Sequence, residues 1–116
     1  MRKIHSEDMI RSIVTFGGYF EEFYYGLTER VQRKFDYALS LLKIADKVSK
    51  KFVKHIRDGL YELRIEMDGN IYRAFFIFDG GKIVVLFNGF QKKSQKTPPN
   101  EIEKAIRIKE EYYAHK

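Results

Sequence analysis

The stretch DGLYELRIEMDGNIYRAFFIFDGGKIVVLFNGF, residues 58–90, decides the fold. Asp58-Gly59, Asp68-Gly69-Asn70 and Asp79-Gly80-Gly81 stand ten and eleven residues apart. Each joins a short polar side chain to glycine, the residue types that accept the backbone of tight hairpin turns. The intervals 60–67, 71–78 and 82–90 therefore read as three strands of an antiparallel meander. Residues 51–56 precede them as an edge strand or an extended loop. In the first strand Tyr61, Leu63, Ile65 and Met67 alternate with Glu62, Arg64 and Glu66.

If each hairpin has a two-residue turn, this alternation carries through all three strands. One face then holds Leu63, Ile65, Met67, Tyr72, Ala74, Phe76, Phe78, Ile83, Val85 and Phe87. It is uniformly apolar and is expected to carry the helices. The opposite face holds Glu62, Arg64, Glu66, Ile71, Arg73, Phe75, Ile77, Val84, Leu86, Asn88 and Phe90. It reads as an open face that mixes charge with aromatic surface.

Upstream, residues 11–16 read as a short strand stopped by Gly17-Gly18. Residues 19–25 read as a short helix. Thr28 is an N-cap candidate for a longer helix, in which Leu27, Val31, Phe35, Ala38, Leu42 and Ala45 form one apolar stripe to about residue 46. Downstream, Thr97 as N-cap and Pro98 at the first helical position open a last helix. Its shared face is Ile102, Ala105, Ile106, Lys109, Tyr112 and Tyr113. The fold class is α+β: two N-terminal helices packed on a twisted antiparallel meander with a C-terminal helix, in one domain over residues 1–116.

The chain has 116 residues, 44% of them apolar, which suffices for one packed core without staples. It has no cysteine, which excludes disulfides, thiolate metal sites and a cysteine nucleophile. No apolar run approaches a membrane span, and the charged start Met1-Arg2-Lys3 is not expected to be a secretory leader. The expected setting is the cytoplasm. The net charge of +6 directs attention to polyanions: nucleic acid, an anionic membrane or an acidic protein partner.

Arg64 and Arg73 fall side by side on neighbouring strands. Two like charges there need compensation. One reading pairs them with Glu62 and Glu66 as a surface network. The other makes them an oxyanion site, because guanidinium stays charged and grips phosphate through two parallel hydrogen bonds. The basic segment Gln91-Lys92-Lys93-Ser94-Gln95-Lys96-Thr97 follows and leads into a helix N-terminus, where phosphate is favoured. Lys50-Lys51 and Lys54-His55 add positive charge before the meander. No HExxH-like pattern, carboxylate cluster, P-loop or GxGxxG is present, so a metal site, a metal hydrolase and a small-molecule cofactor are not expected. Cleavage of RNA would then proceed by attack of the 2′-hydroxyl on the adjacent phosphate, with a base, an acid and positive charge at hand. His55, His115, Tyr113, Lys54 and Lys96 are the candidates for proton transfer.

Several segments together resemble the RelE/HigB-type toxins of bacterial toxin–antitoxin modules, in particular the phage-derived HigB-like branch. They are Phe52-Val53-Lys54-His55-Ile56, Gly59-Leu60-Tyr61-Glu62-Leu63-Arg64, Tyr72-Arg73-Ala74-Phe75-Phe76, and Phe87-Asn88-Gly89-Phe90-Gln91-Lys92-Lys93-Ser94-Gln95-Lys96-Thr97-Pro98. The helix around Glu101-Ile102-Glu103-Lys104-Ala105 completes them. The resemblance implies a RelE-like fold and metal-independent, ribosome-dependent cleavage of mRNA, which stops translation. It places Arg73 at the transition state, with Arg64 beside it. Lys92, Lys93 and Lys96 contribute phosphate contacts or the acid, and Tyr112, Tyr113 or His115 come from the last helix. Lys54, His55 and Lys93 are the expected phosphate-binding residues. The implied partners are the ribosome, mRNA and a cognate antitoxin of helix-turn-helix type. Two other functions suit the same scaffold: a ParE-like inhibitor of DNA gyrase, and a non-catalytic module that only binds its antitoxin. On this reading, Arg73→Ala abolishes growth inhibition and leaves the fold intact.

Overall fold

The computed structural model describes residues 9–92 and 98–116. They form an α+β structure with a five-stranded mixed sheet and three helices. The elements in chain order are β1 (Ser12–Thr15), α1 (Tyr19–Tyr25), α2 (Glu29–Ile44), β2 (Val53–Arg57), β3 (Leu60–Met67), β4 (Asn70–Asp79), β5 (Ile83–Lys92) and α3 (Pro99–Ala114). The sheet order is β1-β5-β4-β3-β2. Strands β2 to β5 pair antiparallel with their sequence neighbours, whereas β1 joins β5 in parallel. The expected all-antiparallel sheet is corrected there. Two helices and three strands separate β1 from β5, which leaves chain enough for a parallel crossover.

Local chemistry accounts for most element ends. The Thr28 side chain accepts a hydrogen bond from the Val31 N–H at 3.4 Å and caps α2. At the other end of α2 the Arg11 guanidinium donates to the carbonyls of Leu42, Ala45 and Asp46, at 3.0, 2.6 and 2.8 Å. These carbonyls would otherwise lack partners. The β3–β4 turn has Asp68 and Gly69 at φ 53° and 80°, the paired left-handed conformation of a two-residue hairpin. The last helix begins one residue later than expected. Pro98 occupies the cap position in extended conformation, with ψ 130°. It precedes Pro99, and a residue before proline is pushed out of the helical region. Thr97, the expected cap, lies outside the described residues.

The register of β5 departs from the expected parity. Asp79 pairs with Ile83, so the β4–β5 turn contains three residues. Val84 and Leu86 therefore share the α1/α2 face with Phe76, and Val85 and Phe87 lie on the opposite one with Phe75 and Ile77. This corrects the assignment of Ile83, Val85 and Phe87 to the first face. A bulge follows: Phe76 pairs with Leu86 but Ala74 pairs with Gly89. Two residues of β5, Phe87 and Asn88, then oppose Phe75 alone. The bulge restores the parity, and Phe90, the partner of Arg73, lies on the arginine face as expected.

Both sheet faces are covered. Helices α1 and α2 close one face with Phe20, Val31, Phe35, Ala38 and Leu42. Helix α3 packs Ala105 and Ile108 on Leu60, Phe75, Ile77, Val85 and Phe87 of the other. The face expected to be open is therefore roofed by α3 over its apolar part.

Gly89 is required by contact. A Cβ built on it would fall within the Phe23 ring. Gly89→Ala is expected to destabilise the fold by about 1–3 kcal/mol through overpacking, read as a lower urea midpoint.

Candidate functional site

Arg64 and Arg73 are direct partners across the β3–β4 ladder, and Arg73 is in turn the partner of Phe90. The three positions form one row across the sheet. Alternation along β3 places Glu62 and Glu66 on either side of Arg64 on the same face. Arg73 ion-pairs with Glu62, and Arg64 with Glu66 at 2.5 Å. The two pairs answer the like-charge problem, but in different settings. Arg73 is 5% exposed and Glu62 0%. Burial lowers the pKa of the Arg73 guanidinium from its ordinary value. The Arg64 side chain remains 37% exposed. The Nε of each arginine is buried and meets no acceptor among the described residues.

Arg64 opens onto a small pocket of about 100 Å³ lined by Lys34, Lys51, Phe52, Arg64 and Glu66. The Arg64 N–H donates to the Phe52 carbonyl at 2.7 Å and holds the edge strand's start beside it. Lys34 reaches across from α2 and donates to the Glu66 carbonyl at 2.5 Å. Lys51 Nζ lies 5.8 Å from the centre of the Phe52 ring. Three cations against one carboxylate make the pocket suited to an anion. Lys34 escaped sequence analysis because it is a polar helix residue distant in the chain, and only the packing of α2 on β3 brings it here.

The structure brings some of the expected residues together and separates others. Lys54 pairs in register with Glu62, so it lies on the arginine face. His55 alternates to the other face, where its ring meets Tyr61 at 5.0 Å. Lys92 ends β5, its backbone opposite Ile71. Lys93 and Lys96 lie outside the described residues. Tyr113 is exposed on α3 beside Tyr112. Tyr112 donates to Asp79 at 2.5 Å, which fixes that end of α3 at the β4–β5 turn. Arg73 is six strand residues away, about 20 Å. Tyr113 and His115 are therefore not gathered at the arginine pair. Among the described residues no group of three or more His, Asp or Glu is arranged to hold a metal ion. No helix among them is long and apolar enough to cross a membrane.

The Tyr112–Asp79 contact makes a pH prediction. Hydrogen bonds from Tyr112 and Lys116 hold the Asp79 carboxyl below its usual range. The bond to Asp79, together with burial, pushes the Tyr112 phenol up to about 12. Burial, and then a bond to Asp36, does the same to Tyr24. A phenol whose pKa is raised on folding contributes stability below the unfolded value near 10, and that stability is lost as pH rises towards 12. An ultraviolet phenolate titration is expected to show a component near pH 12, which Asp79→Asn and Asp36→Asn each move back towards 10. For Asp79 the sign is opposite: its contribution is lost as the solution is acidified below the ordinary carboxylate range.

A small α+β protein with helices on both sheet faces and a basic, arginine-bearing row at one end of the sheet is the class that fold and site define. The chain belongs to the family described as Phage derived protein Gp49-like (DUF891), whose model matches residues 22–110, from within α1 into α3. This family is associated with RelE/HigB-type toxins. No curated protein matches the chain.

Proposed function

We propose that the protein is the toxin of a toxin–antitoxin module and cleaves mRNA on the ribosome without a metal ion. The observation that carries the reading is the row Arg64–Arg73–Phe90, which runs from a cationic pocket to the start of the lysine segment 92–96. The 2′-hydroxyl of one nucleotide attacks its own 3′-phosphate, and the bond to the next nucleotide's 5′-oxygen breaks. The products are a 2′,3′-cyclic phosphate and a 5′-hydroxyl. One proton leaves the 2′-oxygen and one reaches the departing 5′-oxygen. Arg64, with Lys34 and Lys51, stabilises the charge that builds on the phosphoryl oxygens. The buried Arg73–Glu62 pair is a positioning element beside it on the same face. Lys54, Lys92, Lys93 and Lys96 supply further phosphate contacts and the proton transfers. The antitoxin, of helix-turn-helix type, offsets the +6 charge with an acidic inhibitory segment.

The test is purified protein incubated with mRNA, with and without translating ribosomes. Fragments bearing cyclic phosphate ends, formed only with ribosomes and less at high salt, are the expected result. Intact mRNA accompanied by gyrase-dependent DNA breaks would replace this function with the ParE-like one.

A further inference from the structure

Strand β2 is an edge of the sheet. The Arg64 N–H donates to the Phe52 carbonyl, and Lys54 is the register partner of Glu62. In an antiparallel ladder, residues that bond the neighbouring strand alternate with residues that do not. Phe52 and Lys54 therefore turn their main-chain groups to β3, and Val53 and His55 turn theirs outward. The Val53 N–H is taken by the Ser49 carbonyl at 3.1 Å. The Val53 carbonyl and the N–H and carbonyl of His55 stay on the outer edge, directed at the place of a next strand. Beyond His55 the register shifts, which ends the regular edge.

The charged side chains along this edge have one sign. From Lys47 to Arg57 the chain carries five cations and no carboxylate. Among the described residues only Arg57 of the five is ion-paired, to Asp58 and Glu103. Lys54 stands opposite Glu62, whose carboxylate is taken by Arg73. Lys50, Lys51 and Lys54 are exposed. Val53 and Tyr61 pack against the core under α1 and α2 and, with Lys50, Lys54 and His55, line a cavity of about 450 Å³. Lysine on an edge strand guards against pairing with a like edge. It repels a second copy of this chain and selects an added strand that carries carboxylates.

We propose that this edge binds an acidic, extended segment of another protein as an added strand, with carboxylates on Lys50 and Lys54 and an apolar side chain over Val53 and Tyr61. Strand addition draws affinity from main-chain hydrogen bonds and selectivity from alternate side chains. Alternation sets the pattern. Residues opposite Val53 and His55 turn to the cavity and are apolar, and the residue opposite Lys54 turns to the arginine face and is acidic. RNA would meet the lysines but has no strand to match the outward N–H and carbonyl groups. Past Val53 the segment reaches Lys51, which lines the Arg64 pocket, and there it excludes RNA phosphate. The inference rests on the toxin–antitoxin reading above and deepens it: the acidic segment of the antitoxin inhibits by covering Lys54 and Lys51 from the sheet edge.

The test is an NMR titration of the isotope-labelled full chain with a short capped peptide of alternating glutamate and valine. The His55 amide is expected to shift and to exchange more slowly with solvent, and binding is expected to weaken at high salt. Lys54→Glu, at an exposed position, is expected to weaken binding at least tenfold while the rest of the spectrum stays that of the folded parent. The same peptide methylated on its valine nitrogens, which face β2 in this register, keeps its charge but loses the strand bonds. It is also expected to bind at least tenfold more weakly. Equal binding by the methylated peptide would mean attraction by charge alone and would overturn the proposal. So would an unmoved His55 amide, unchanged binding by Lys54→Glu, or a His55 shift produced by a single-stranded oligoribonucleotide but not by the peptide. The titration uses neither ribosome nor mRNA, so its failure is distinct from a failure of mRNA cleavage.

Discussion

Arg73→Ala lowers the stability of the fold by about 3–5 kcal/mol, the usual effect of removing one partner of a buried ion pair, here the guanidinium paired with the buried Glu62 carboxylate. That is a large fraction of the total stability of a domain this size. Urea denaturation followed by circular dichroism reads it as a large drop in midpoint. Taking both charges away gives the opposite expectation. The double variant Glu62→Leu/Arg73→Met replaces the pair by apolar groups of similar size and recovers most of the loss. A midpoint for Arg73→Ala within error of the parent would show that the pair is not buried as described. The sequence-based expectation that this substitution abolishes toxicity on an intact fold is revised accordingly. Loss of activity in Arg73→Ala alone reports unfolding as readily as chemistry, and the double variant is the proper control. If that variant folds but does not cleave, Arg73 acts on the reaction through the groups beside it on the same face.

Arg64→Ala is expected to reduce the mRNA cleavage rate by about 10²–10³-fold, the usual effect of deleting one preorganised charge-stabilising group. Stability is expected to change little. Arg64 is part-exposed, and its pair with Glu66 is of the surface kind, worth about 0.2–1 kcal/mol. Arg64→Lys is expected to fall between, since it keeps the charge but loses the planar fork that grips two phosphate oxygens. Glu66→Gln removes the carboxylate that competes with phosphate for Arg64 and is expected to raise affinity for RNA modestly. Rates measured on ribosome-bound message, with urea midpoints in parallel, separate the two effects. Unchanged cleavage by a folded Arg64→Ala protein would remove the pocket from the mechanism.

The strands and helices were readable because their signals are local. Asp-Gly favours the paired left-handed conformation of a two-residue hairpin turn, and Asp58-Gly59 and Asp68-Gly69 both adopt it here. The stripe Val31, Phe35, Ala38, Leu42 is buried as its helical spacing requires. The β3–β4 register followed from a two-residue turn, so Arg64 opposite Arg73 was legible too. The β4–β5 register was not. The Gly80-Gly81 signal does not state whether Lys82 belongs to the turn, and nothing in Phe87-Asn88 announces a bulge. The two departures shift β5 by one residue each and add to two from Gly89 onward, which restores the face though not the pairing, so Phe90 was placed on the correct face and Val85 was not.

By itself, the sequence determined the element types, the excess of positive charge and the juxtaposition of two arginines, since turn chemistry and residue periodicity act over a few residues. Only the tertiary structure decided that one arginine is buried on Glu62 while the other faces a pocket with Lys34 and Lys51. It likewise decided that Tyr113 lies at the far end of the sheet. Burial depends on which element covers a position. Covering elements come from far along the chain, as α3 does over Leu60, Phe75, Ile77, Val85 and Phe87, and no local pattern encodes such contacts.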